Sequence, residues 1–145
     1  MIRLQVFKEV KTHVPRKKLD FLLETIVSAE TNACNFGQVN LVLTSDKRIK
    51  ELNRQYRAID ESTDVLSFEL GRPANPDDTF GEIYISVPMA RRQAKRYRTS
   101  LSDETLRLFC HGMLHLFGYD HFKSRDAKKM KARENYFLKQ LKGRL

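Results

Sequence analysis

Apolar positions along this chain repeat with two periods, and each change of period marks a new element. Residues 1–8 alternate through Met1-Ile2-Arg3-Leu4-Gln5-Val6-Phe7 and predict a strand. Pro15 then suits a helix start, and Leu19, Leu22, Leu23, Ile26 and Val27 follow at helical spacing. Val39, Leu41 and Leu43 alternate through a strand over Gln38–Thr44. Asp46 can cap a helix from Lys47 to about Tyr56 that turns Ile49 and Leu52 inward. Asp64–Glu69 reads as a third strand, Gly71–Thr79 with Pro73 and Pro76 as a loop, and Glu82–Ser86 as a fourth strand. Pro88 opens a helix toward Tyr97. Ser100-x-x-Asp103 resembles a capping box for a helix over about 103–117. A last helix spans about Ser124–Lys142, with Ala127, Met130, Phe137, Leu138 and Leu141 on its apolar side. The order predicts an α+β fold: about four strands in one mixed sheet, with about five helices packed on it.

Composition narrows the class. A chain of 145 residues fits one domain, 1–145. With 41% hydrophobic and 31% charged residues it resembles an ordinary globular chain with room for a core. No apolar run approaches the roughly 18 residues needed to span a bilayer. The first strand lacks the apolar core of a signal peptide. Cys34 and Cys110 lie far apart and predict reduced, half-buried fillers, not a disulfide framework. The expected compartment is the cytoplasm, with no membrane and no nucleotide cofactor involved.

The formal net charge is +9, and its placement is more telling than its size. Residues 1–90 are balanced, with twelve basic side chains against thirteen acidic. Residues 91–98 add Arg91, Arg92, Lys95, Arg96 and Arg98 with no acid. Residues 123–145 carry nine basic side chains against Asp126 and Glu134. The excess therefore flanks the helix at 103–117. A basic surface there suits a polyanion, above all nucleic acid, whose phosphates supply most non-specific affinity. Lysine-rich helices can also serve solubility alone.

That flanked helix carries the chemistry. His111, His115 and His121 form H-x3-H-x5-H, with Gly118 three residues after the second histidine. His111 and His115 are one helical turn apart, so both imidazoles leave one face. His121 joins them only if the helix ends, and Gly118 permits that by taking a left-handed conformation. Three imidazoles with an open fourth position is the arrangement of a catalytic zinc ion. The spacing matches the metzincin pattern H-E-x-x-H-x-x-G-x-x-H, but Gly112 stands where those peptidases hold their glutamate base. Peptide hydrolysis is therefore disfavoured. A purely structural zinc would usually have four protein ligands, and the nearby thiol, Cys110, points about 100° away around the helix.

The blocks Leu52-Asn53-Arg54-Gln55-Tyr56-Arg57, Asp60-Glu61-Ser62-Thr63-Asp64-Val65-Leu66-Ser67-Phe68 and Gly81-Glu82-Ile83-Tyr84-Ile85, followed by the histidine run, resemble the bacterial YbeY family. The resemblance implies a zinc-dependent endoribonuclease acting in ribosomal RNA processing, notably at the 3′ end of the small-subunit RNA, and in ribosome quality control. It implies His111, His115 and His121 as ligands of one zinc ion and Arg57 as the functional arginine. Small ribosomal subunit proteins are candidate partners. The family usually has proline where Ser62 stands, and Leu-Gly-Asp where Phe80-Gly81-Glu82 stands.

Further roles follow as expectations. Arg57 would neutralise charge developing at phosphorus, or else sit on the surface or pin its loop to Asp60. Asp120 would either orient a ligand imidazole or form the turn. Arg91, Arg92, Lys95, Lys128, Lys129 and Lys131 would track the RNA backbone. Glu82 and Asp64 are the available candidates for a general base. Tyr56, Phe68 and Tyr84 read as core, with base stacking the alternative. His13 reads as a solvated loop residue. A rival function is an RNA-binding ribosome-assembly factor with a mainly structural zinc.

Overall fold

The computed structural model describes residues 2–30, 36–120 and 123–143. Its elements are β1 (Ile2–Lys8), α1 (Arg16–Ala29), β2 (Gly37–Thr44), α2 (Asp46–Arg57), β3 (Val65–Glu69), β4 (Thr79–Ser86), α3 (Val87–Arg96), α4 (Leu101–Leu116) and α5 (Ser124–Gly143). The strands form one mixed sheet in the order β1-β2-β4-β3. β1, β2 and β4 are parallel, with Val6 opposite Leu41 and Leu41 opposite Ile83. β3 is antiparallel to β4 and occupies the edge, with Ser67 opposite Ile83. This mixture follows from the connections. Parallel neighbours need helical crossovers, whereas a loop suffices to reverse the chain from β3 to β4.

Alternation gives the sheet two unlike faces. Leu4, Val39, Leu41, Leu43, Ile83 and Ile85 point to one side and are buried beneath α1 and α4. α5 closes that core through Met130, Phe137 and Leu141. Phe109 and Phe137 are fully buried, each contributing about 1.5–3 kcal/mol by removal from water. The other face carries a much smaller core, in which Ile49 and Leu52 of α2 cover Leu66.

Four expectations need correction. The cap of α2 is Ser45, whose hydroxyl accepts from the Arg48 N–H, and Asp46 is already helical. The Asp46 carboxylate instead accepts from Ser86 Oγ at 2.5 Å and Arg92 Nη2 at 2.9 Å, tying α2 to α3. β4 begins at Thr79 because its first residues pair with Gln38 and Val39 of β2. Cys110 is fully buried, and desolvation pushes its thiol well above the ordinary range, so it has no readiness to ligate. The core reading of the aromatics fails at Tyr56, which is 62% exposed, while Phe68 and Tyr84 only border the small core. Cys34 lies outside the described residues.

Candidate functional site

The central helix α4 is specified at both ends. Ser100 accepts from the Asp103 N–H at 3.0 Å, so the helix begins at Leu101. At the other end Gly118 takes φ +97°. Its N–H donates to the His115 carbonyl and the Tyr119 N–H to the Leu114 carbonyl, both at 3.0 Å. These paired bonds form a Schellman turn, the termination that glycine at this position favours.

The turn does more than stop the helix. It brings the Tyr119 carbonyl to 2.9 Å from His115 Nδ1. A carbonyl only accepts, so Nδ1 carries the proton and Nε2 is left with its lone pair. His115 Nε2 faces His111 Nε2 at 3.2 Å. Behind His111, Nδ1 looks onto Glu134 Oε2 at 3.7 Å. Glu134 is nearly fully buried on α5. Arg107 and Lys131 face the same carboxylate at 3.7 and 3.9 Å. Arg107 also donates twice to buried Glu104, at 2.8 and 2.6 Å, and these carboxylates hold its guanidinium firmly charged.

The donor set fits a zinc ion. Two imidazole nitrogens bound tetrahedrally at their usual distances would stand roughly 3.3 Å apart, and His111 and His115 present theirs at 3.2 Å. The Tyr119 carbonyl gives His115 the hydrogen-bonded support usual for such ligands, while Glu134 stands near His111 at 3.7 Å, beyond hydrogen-bond distance. His121 lies outside the described residues. Among the described residues no group of three histidine, cysteine or acidic side chains converges to hold a metal.

Gly112 explains why no peptidase base could stand between these histidines. A Cβ there would come within 2.9 Å of Ile83 Cγ2 and 3.0 Å of Ser67 Oγ. This face of α4 lies flush on the sheet, and a glutamate has no room.

Arg57 reaches the same region from the opposite face. Its Nη2 donates to the Ser67 carbonyl at 3.3 Å, and the Ser67 hydroxyl donates to the Gly112 carbonyl at 3.1 Å. Arg57 therefore meets the edge strand where that strand meets the histidine helix, and its described bond is to Ser67, not to Asp60. Glu82 points away from α4, toward Asn40 and Tyr84. Asp64 accepts from Gln93 and Thr63. Asp120 lines a surface pocket of about 350 Å³ with Glu30, Gly118, Tyr119 and Lys129. Of the basic candidates, Arg91 and Lys95 are exposed on α3, and Lys128, Lys129 and Lys131 on α5. Arg92 is committed to Asp46.

Glu134 and Ser67 are the site residues that the sequence reading missed. A signal for Glu134 was available. Met130, Glu134, Phe137 and Leu141 follow one helical stripe, and a carboxylate within an apolar stripe needs a buried partner.

The fold and the facing pair of histidines define a class: an α+β scaffold built around a histidine-bearing helix. A sequence model described as Endoribonuclease YbeY matches residues 5–142. An Endoribonuclease YbeY from Aquifex aeolicus is 39% identical over 132 residues, 90% of this chain and 87% of its own. One from Moorella thermoacetica is 43% identical over 129 residues, 83% of this chain and 82% of its own. A solution structure of a Thermotoga maritima protein superposes with a TM-score of 0.64 at 33% identity, covering 97% of this chain and 90% of that one. The chain belongs to the YbeY endoribonuclease family, and its reaction is hydrolytic cleavage of RNA. Among the described residues no helix is long and apolar enough to cross a membrane.

Proposed function

We propose that this chain is a zinc-dependent, single-strand-specific endoribonuclease of the cytoplasm. Its substrate would be ribosomal RNA, with cleavage maturing the 3′ end of the small-subunit RNA and supporting ribosome quality control. Small ribosomal subunit proteins would be its partners. The observation that carries this reading is the pair of Nε2 atoms facing one another at 3.2 Å, with the Tyr119 carbonyl behind one imidazole and Glu134 behind the other.

His111, His115 and His121 would hold one zinc ion. When bound, zinc supplies Lewis-acid polarisation of a phosphoryl oxygen and brings the pKa of water toward about 7. Arg57 would then offer its guanidinium to the charge that grows on the phosphoryl oxygens during displacement. Its bond to Ser67 holds it at the strand that touches the histidine helix. Asp120 keeps two roles open, turn former or imidazole orienter. Arg91, Lys95, Lys128 and Lys129 would guide the backbone, while Arg92 and Lys131 contribute less because Asp46 engages the one and Glu134 faces the other.

The test compares zinc-loaded wild type with His115→Ala on a small-subunit RNA 3′-end fragment, with metal content measured in both. Cleavage and zinc should disappear together. Equal cleavage by the two proteins would overturn the metal assignment.

A further inference from the structure

The sheet face turned away from α4 carries an aromatic row that starts at the margin of its small core and ends in the exposed Tyr56. The Tyr56 ring meets Phe68 edge-on at 5.5 Å, and Phe68 meets Tyr84 edge-on at 5.8 Å. The Arg57 guanidinium stands 6.0 Å from the centre of the Phe68 ring. Packing does not account for Tyr56, which is 62% exposed in the last turn of α2 while Ile49 and Leu52 make the core contacts. A ring left mostly in water gains only a small part of the burial energy that usually justifies an aromatic.

The position of the row is the second observation. Arg57 follows Tyr56 directly, lies over Phe68, and also donates to the Ser67 carbonyl. The Ser67 hydroxyl in turn bonds Gly112, the neighbour of His111. The row therefore begins where the edge strand passes the histidine helix. Arg54 and Arg57 both lie in the last turn of α2, and Arg57 brings its guanidinium to the Phe68 ring.

We propose that Tyr56 and Phe68, with Arg57 over Phe68, form a stacking platform for unpaired nucleobases flanking the scissile phosphate of the RNA substrate. The proposal rests on the RNA-cleaving reading of the histidine site. Its chemistry selects single strands. Bases within a duplex already stack on their neighbours, whereas an unpaired base has a free face that any aromatic ring can take. Edge-to-face contact with Phe68 holds the Tyr56 ring in place before a ligand arrives, which lowers the ordering cost of stacking. The arginines would meet the intervening phosphates.

The experiment uses the full zinc-loaded chain and a short, cleavage-resistant 2′-O-methyl RNA strand. Binding is compared with that of a strand of the same backbone carrying abasic sites. Wild type should prefer the base-bearing strand by about fivefold or more. Tyr56→Leu should lose that preference and Tyr56→Phe should keep it. Photocrosslinking from 5-iodouridine should map to Tyr56 or Phe68. Retention of the preference by Tyr56→Leu, or its absence in wild type, would overturn the platform. Cleavage is read separately on the same preparations. A base preference without zinc-dependent cleavage defeats the proposed function and leaves the platform standing. Cleavage without a base preference defeats the platform alone.

Discussion

A hydrogen bond to one imidazole nitrogen fixes which nitrogen presents its lone pair to a metal. His115 achieves this through the Tyr119 carbonyl, which Gly118 delivers by turning the chain. His111 faces Glu134, a carboxylate that is itself steadied by Arg107 and Lys131. Glu134→Gln keeps the shape of the side chain and removes its charge, and Arg107 retains its two bonds to Glu104. Zinc affinity measured against a chromogenic chelator should fall about 10- to 100-fold, with the far-ultraviolet circular dichroism unchanged. Unaltered affinity would mean that Glu134 serves packing alone. The histidine spacing was legible because one helical turn fixes which side chains share a face. Glu134 was not, because its partner lies on a different helix and only packing brings the two together.

At the scale of elements, α4 combines a ligand-bearing side with a face pressed onto the sheet. Gly112 permits that contact: the nearest atoms to an added Cβ belong to branched Ile83 and to Ser67, and neither is the loose end of a long side chain. Gly112→Ala should lower unfolding free energy by about 1–3 kcal/mol, read from urea denaturation, since overpacking forces neighbours off their preferred geometry. A neutral result would show that helix and sheet can separate without penalty. The residue that rules out a peptidase base is thus also the residue that seats the helix. Periodicity placed nearly every element, but it misread several ends. The sequence pattern puts the cap of α2 at Asp46, but Ser45 takes that place, and Ser86 and Arg92 engage the Asp46 carboxylate.

At the scale of the molecule, charge excess and histidine helix share one neighbourhood, since α3 and α5 both pack against α4. Single-stranded RNA binding should weaken with salt. Removing Arg91, Lys95 or Lys128 should each reduce the slope of log K against log salt by about 0.7. Removing Arg92 should change it less, since Asp46 already neutralises it. Equal effects from all four would undo the distinction drawn between free and committed side chains.

The sequence by itself determined the α+β order, the helical pairing of His111 with His115, the turn at Gly118 and the location of the charge. Each follows from local rules: side-chain period, capping chemistry and the conformational freedom of glycine. The three-dimensional fold alone decided that Glu134 stands behind His111, that Ser67 joins Arg57 to the histidine helix, and that Tyr56 stays in water. These contacts cross between elements far apart in the chain, and their partners are chosen by how the helices and the edge strand pack, which no local pattern encodes.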